Sequence, residues 1–287
     1  TQMNFDTPAD WVNDANNDQD WSVGTTTPNG SFTANTPAIS STSGGNFAMI
    51  QGDGFTGTAI LTMANSVDLS SNTNVAFEFE SSYRNFTGSA FFEISSDGTT
   101  WTTYQVHDLV PLNENSDDPE LISVNISSAI TGSPSTVWAR FRYESTDDYY
   151  WMVDDARFVE GYDDNLVMDQ SFMSAGPQGL DYYMIPNDQI SEVTFGAYVS
   201  NVGLNDWASA SLGVAVDEAG TNVYTGASTP GLITNLTRDS LTIETPNGWT
   251  PQADKTYRVA FGAGDLATTD ETPNDNLDTL YNVTTGG

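Results

Sequence analysis

Val137-Trp138-Ala139-Arg140-Phe141-Arg142-Tyr143 alternates without a break, with Val137, Ala139, Phe141 and Tyr143 on one face and both arginines on the other. Successive side chains of a strand point to opposite sides, so this stretch reads as a half-buried β-strand. The same period runs through Val75-Ala76-Phe77-Glu78-Phe79-Glu80 and, after a register adjustment, through Ala90-Phe91-Phe92-Glu93-Ile94. Tyr149 to Val159 supplies another strand after the acidic turn Thr146-Asp147-Asp148. Asp97-Gly98 lies between two strands and predicts a type I′ hairpin. Helical periodicity is almost absent, so the fold class is all-β.

The chain has 287 residues, a length that suggests about two domains. Seven Lys+Arg against 39 Asp+Glu leave a formal net charge of −32. That charge repels phosphate backbones and anionic membrane surfaces, which argues against nucleic-acid partners. No apolar run is long enough to insert into a bilayer. The absence of Cys excludes disulfides and thiolate chemistry, and a lone His, His107, excludes two-His zinc protease motifs. The acidity has two compatible readings, solubility in salty surroundings and carboxylates for calcium. Thr1-Gln2-Met3 carries no basic or apolar leader, so any secretory signal is expected to have been removed. Asn282 to Gly287 reads as a flexible end, and the chain is expected to be part of a longer multidomain protein.

Gly161-Tyr162-Asp163-Asp164-Asn165 marks a boundary, giving domains 1–160 and 161–287. In the second, Gln189 to Gly203 reads as a strand ending in an Asn-x-Gly turn. Ala208 to Val216, Val223-Tyr224, Ser240 to Glu244 and Thr256 to Gly262 add further strands. About seven short strands in about 125 residues fit an immunoglobulin-like β-sandwich.

Asn4-Phe5-Asp6, Trp11, Asn16-Asn17-Asp18-Gln19-Asp20-Trp21 and the closing Tyr150-Trp151-Met152-Val153-Asp154-Asp155 follow one another in a telling order, with Gly45-Asn46-Phe47-Ala48-Met49-Ile50 between them. In that order and spacing the first domain resembles the MAM family and the related cleaved-adhesin jelly rolls of secreted bacterial proteins. The resemblance covers residues 1–160 and implies an N-terminal jelly-roll β-sandwich. Animal MAM domains are stapled by disulfides and this chain has no Cys, so the bacterial branch is nearer. Tyr183-Met184-Ile185-Pro186, Gln189, Val199 to Gly203, Asp275-Asn276 and Tyr281 to Thr284 resemble immunoglobulin-like modules of secreted Bacteroidetes proteins.

The sharpest polar cluster is Asp14-Ala15-Asn16-Asn17-Asp18-Gln19-Asp20, with oxygen side chains at positions 14, 16, 18 and 20. Such a loop is either a solvated turn or a source of several of the six to eight oxygens calcium prefers. It lacks the central Gly and closing Glu of an EF-hand. The resemblance places the first and last strands side by side, which would bring Asp6 near Asp154 and Asp155. Strict alternation puts Asp154 and Asp155 on opposite faces, one of them half-buried, with Arg157 sharing the Asp155 face as a competing partner. The metal candidates are therefore Asp6, Asp14, Asn16, Asp18, Asp20 and Asp155, with calcium as the ion.

Glu78, Glu80 and Glu93 alternate with Phe and are expected to face solvent, and His107 reads as structural or exposed rather than catalytic. Trp11, Trp21, Trp138 and Trp151 read as core. Trp101, Tyr104, Tyr149, Tyr150, Trp207 and Trp249 are divided between core packing and a platform for sugar rings. The expected role is a non-catalytic, secreted or cell-surface adhesion module that recognises an extracellular glycan or surface protein. The alternatives are accessory domains of a larger secreted hydrolase or a subunit of an extracellular filament.

Overall fold

The computed structural model describes residues 5–132, 134–175, 184–244, 246–265 and 267–286; Asn4 and Tyr183 of the resemblance lie outside them. The chain is all-β and divides into two units, Thr1–Gly161 and Tyr162–Gly287.

The first unit contains β1 (Trp11–Asn13), β2 (Ser22–Gly24), β3 (Phe47–Gln51), β4 (Thr56–Met63), β5 (Val75–Arg84), β6 (Ser89–Ser95), β7 (Thr102–Val106), β8 (Glu120–Asn125), β9 (Trp138–Thr146) and β10 (Tyr150–Glu160). They form two antiparallel sheets, ordered β1-β4-β9-β6-β7 and β2-β3-β10-β5-β8, in a jelly-roll sandwich. The inward face of β9 buries Ala139, Phe141 and Tyr143 completely, as its alternation requires. Phe141 meets Trp151 of the opposite sheet edge-on at 5.6 Å, and Phe77 stacks on Phe92 at 4.6 Å. Fully burying one such side chain stabilises the fold by roughly 1.5–3 kcal/mol, so these rings dominate the core.

Asp148, between β9 and β10, is 1% exposed and ties this core to the turns. It accepts hydrogen bonds from the hydroxyls of Tyr83 at 3.1 Å and Tyr143 at 2.8 Å, and from the backbone N–H groups of Phe86 and Thr87. Burial, reinforced by the Asp148 charge, raises both tyrosine pKa values. The acidic turn between these strands thus contains a structural anchor.

The second unit contains β11 (Leu166–Ala175), β12 (Met184–Pro186), β13 (Val193–Asn201), β14 (Trp207–Glu218), β15 (Thr221–Ala227), β16 (Gly231–Ile233), β17 (Arg238–Ile243), β18 (Thr256–Gly264) and β19 (Leu277–Gly286). One sheet is β11-β13-β17; the other is β12-β19-β18-β14-β15, with β16 also on β14, and together they form an immunoglobulin-like sandwich. Trp207, Leu212, Val214, Phe195 and Phe261 fill its core. Asn201 closes the expected turn: its Oδ1 accepts the Gly203 N–H at 3.1 Å while its Nδ2 donates to Asn205 and Ile233 carbonyls. A Cβ at Gly203 would come within 2.6 Å of the Asp163 carbonyl oxygen, so this close approach needs glycine.

Three local expectations are corrected. The β6–β7 connection is longer than a two-residue hairpin, and only Gly98 of the Asp97-Gly98 pair has positive φ, +71°, whereas type I′ requires both. Asp97 holds the loop open by accepting the Thr99 and Thr100 N–H groups, bonds that depress its pKa. The stretch from Asn282 to Gly286, expected to be flexible, belongs to β19, which pairs along β18. β11 escaped the sequence reading because a register shift between Met168 and Gln170 breaks its alternation.

Asp148→Ala leaves the buried Tyr143 hydroxyl and two N–H groups without their acceptor, and the Tyr83 hydroxyl with only its 3.3 Å contact to Asn85. We expect a loss on the order of 3 kcal/mol or more, read as a lower urea midpoint at unchanged slope. A change below about 0.5 kcal/mol would show that water replaces the carboxylate.

Candidate functional site

The site grows from an irregularity in β10. Asp154 pairs with Glu80 of β5, but the next pairing joins Arg157 to Glu78, so Asp155 and Ala156 together oppose Phe79. Such a bulge inserts one extra residue and re-aims its side chain. Asp155 adopts φ +50°, a left-handed conformation that Asp tolerates better than most residues. Strict alternation is therefore lost at the residues where it was invoked. Asp154 and Asp155 are both buried, at 1% and 3% exposure. Arg157 is carried past Asp155 to an ion pair with Glu78 at 2.7 Å.

A hydroxyl- and amide-rich loop, Ser40 to Asn46, lies over these acids. Ser41 Oγ donates to Asp154 at 2.5 Å, and the Ser43 N–H to Asp155 at 2.8 Å. Thr42 gives both its N–H and its hydroxyl to Glu80. Ser40 does the same for Asp118. Asp6 is exposed and its Oδ1 lies 3.5 Å from the Asn46 nitrogen. A Cβ at Gly45 would come within 2.9 Å of that oxygen, and Gly45 has φ +89°, so glycine admits Asp6 to the cluster. Four carboxylates thus take neutral donors from this loop, and Asp6 lies at its edge. The loop was missed because a Ser-Ser-Thr-Ser-Gly-Gly-Asn run looks like low-information surface.

Burial pushes the Asp154 carboxyl up to about 6, and the nearby Asp155 and Asp6 charges push the same way, against the bonds from Ser41 and the Asp155 N–H. Among the described residues no three His, Cys, Asp or Glu side chains are gathered closely enough to form a ready metal cage.

The six candidate residues separate. Asp6 and Asp155 lie with Asp154. Asp14, Asn16 and Asp18 belong to a loop that follows the β4 edge. Asp14 Oδ1 accepts the Asn16 N–H at 2.8 Å, and Asp18 Oδ2 accepts the Thr58 N–H at 2.9 Å. Between them Asn17, not singled out from sequence, both accepts from and donates to the Ile60 backbone. This loop continues the sheet edge with side-chain amides and carboxylates. Asp20 is exposed.

Glu78, Glu80 and Glu93 point away from the aromatic core, but they are buried rather than solvent-facing. Arg157 covers Glu78 and Thr42 covers Glu80, while Arg140 and Arg142 both bond Glu93 and stack on Trp101 and Phe91 respectively. Of the six aromatics with divided readings, Tyr150, Trp207 and Trp249 are core.

Ser81, His107 and Glu120 form an acid–base chain that the sequence did not suggest. Ser81 Oγ lies 2.7 Å from His107 Nε2, and His107 Nδ1 lies 3.2 Å from Glu120 Oε2, outside good hydrogen-bond alignment. The Ser81 hydroxyl is fully buried, accepts the Trp151 indole N–H at 2.8 Å, and sits beneath a His107 ring stacked on Tyr83. Acyl transfer needs room for a carbonyl at the nucleophile and donors aimed at its oxygen. This hydroxyl is enclosed by an indole and an imidazole instead.

No protein-family model matches the chain, and no curated protein matches it. Among solved structures, the K1 cleaved adhesin domain of Lys-gingipain from Porphyromonas gingivalis W83 is 18% identical with a TM-score of 0.38, over 56% of this chain and 97% of that one. The CARDB domain of a Pyrococcus furiosus protein, solved in complex with di-metal ions, is 16% identical with a TM-score of 0.31, over 45% of this chain and 98% of that one. Bacteroides uniformis β-glucuronidase 2, as a calcium binding mutant, is 13% identical with a TM-score of 0.36; the match covers 79% of this chain and spans only 26% of the glucuronidase.

An acid whose pKa is raised on folding stabilises the fold most when protonated. With chelator present, the Asp154 contribution should be complete below about pH 4 and lost as pH rises through 6, a swing on the order of 3 kcal/mol. Urea unfolding of the wild type and Asp154→Asn across pH 4 to 7 checks this: the difference between them should grow in favour of the variant as pH rises. A constant difference would remove the claim.

Proposed function

We propose that this chain is a non-catalytic, secreted or cell-surface binding module whose first unit is stiffened by calcium and which recognises a glycan or protein at a surface. The observation that carries the calcium reading is the buried pair Asp154 and Asp155 with Asp6 beside it. Two acids of one sign held out of water repel each other and disfavour ionisation, and an opposite charge relieves both penalties. The chain has seven basic residues, six of them paired to other acids and the seventh, Arg84, stacked on Tyr149. A hard divalent cation would supply such a charge, and carboxylate and hydroxyl oxygens suit calcium.

In this reading Asp6, Asp154 and Asp155 supply the carboxylates, and calcium would fasten the N-terminal segment and the Ser40 to Asn46 loop to β10. Asp14, Asn16 and Asp18 keep their role along β4. The rigid unit then presents its loops to a partner, and weak contacts gain strength by repetition along a longer chain. The enclosed Ser81 hydroxyl supports a role without bond breaking.

Thermal unfolding with calcium against EGTA tests the metal. Saturating calcium should raise the melting temperature of the first unit by several degrees, about 2–4 kcal/mol, and Asp155→Asn should abolish the rise. An unchanged wild-type melt would end the calcium reading. Adhesion of the labelled chain to glycan arrays and surface proteins tests the binding role. Turnover of glycosidase, esterase or peptidase substrates by the purified chain would overturn it.

A further inference from the structure

The ends of β3, β5 and β10 meet at one corner of the first unit, where Arg84 pairs with Tyr150 and Tyr150 with Gln51. Among the described residues only three aromatic side chains are exposed, Phe32 at 72%, Phe86 at 41% and Tyr198 at 36%, and two of them are here. Between them the Arg84 guanidinium lies 3.9 Å over the Tyr149 ring and donates to the Phe32 carbonyl at 3.1 Å; Phe86 sits 5.8 Å from Tyr149. Arg84 is also the one Lys or Arg, among the described residues, without a carboxylate within 4.0 Å.

The backbone beneath these groups is tethered. The Phe32 N–H donates to Asp53, the preceding Asn29 N–H to Gln51, the Phe86 N–H to the anchored Asp148, and the Tyr149 hydroxyl to Asn113. Exposed apolar rings and a half-buried cationic donor on a tethered backbone are the composition of a preorganised binding surface.

We propose that this corner is a binding site for a neutral glycan, with Phe32 and Phe86 stacking on the C–H faces of pyranose rings and Arg84 donating to ring hydroxyls. The proposal rests on the binding-module reading and gives it a place and a ligand class. Charge selects the ligand. A polyanion meets a chain of net charge −32 and the flanking Asp53 and Asp147. A cationic peptide meets a guanidinium with no carboxylate within 4.0 Å. A neutral sugar presents apolar faces to the rings and hydroxyls able to use both the Arg84 donors and nearby acceptors such as Asn113.

Isothermal titration of the full chain with cellohexaose, xylohexaose, mannohexaose and chitohexaose, with hexagalacturonate as the anionic comparison, tests it. At least one neutral hexasaccharide should bind and hexagalacturonate should bind at least tenfold more weakly. Phe32→Ala with Phe86→Ala, and separately Arg84→Gln, should each weaken binding tenfold or more at unchanged melting temperature; Tyr198→Ala in the second unit should not. Preference for hexagalacturonate, or sugar binding undiminished by the double variant, overturns this site while leaving a binding module elsewhere on the chain. If no neutral hexasaccharide binds, the site falls, and surface-protein adhesion then decides separately whether the module reading stands.

Discussion

The constraint on which the rest depends is the scarcity of positive charge. With 39 acids and seven bases, most carboxylates that enter the fold must be satisfied without an ion pair. A buried carboxylate lacking donors is expensive, so neutral donors are recruited wherever one appears. Asp148 takes two tyrosine hydroxyls and two backbone N–H groups. Glu80 takes both donors of Thr42, and Asp97 takes two N–H groups of its own loop. In the second unit Asp270 caps the Leu166 N–H and the Asn276 amide in the same way. The Ser, Thr and Asn content of the loops is thus a structural counterpart of the missing Lys and Arg.

Where guanidinium groups exist, they are spent on the outer faces of sheets. Glu93 draws both Arg140 and Arg142, and Arg157 reaches Glu78 because the β10 bulge advances it by one position. That displacement leaves Asp154 and Asp155 to neutral donors, with Asp6 at their edge. One extra residue in a strand therefore creates both a stable ion pair and a neighbouring cluster of buried carboxylates. Local irregularity is how an otherwise regular sandwich acquires a chemically distinct point.

How much was legible follows from how each feature is encoded. Strands with clear alternation, such as β5 and β9, declare themselves because one face must enter the core. Trp11, Trp21 and Trp151 are core for the same reason. β11 and the β6–β7 loop were misread where a bulge or a side-chain cap interrupts the period. The outward direction of Glu78, Glu80 and Glu93 was readable, but their burial was not, since it depends on partners from β7, β9, β10 and a distant loop. Asp6 and Asp155 were reached only through resemblance, and the Ser40 to Asn46 loop was not reached at all.

By itself the amino-acid order determined the all-β class, the aromatic faces of the main strands and a surface hostile to polyanions, because periodicity and net charge are properties of the chain alone. Tertiary structure decided which acids meet beneath which loop, that Arg157 passes Asp155 by, and that Arg84 joins Phe32, Phe86 and Tyr149 at one corner. Those outcomes depend on register, bulges and strand order, which bring together residues more than a hundred positions apart and which no local pattern specifies.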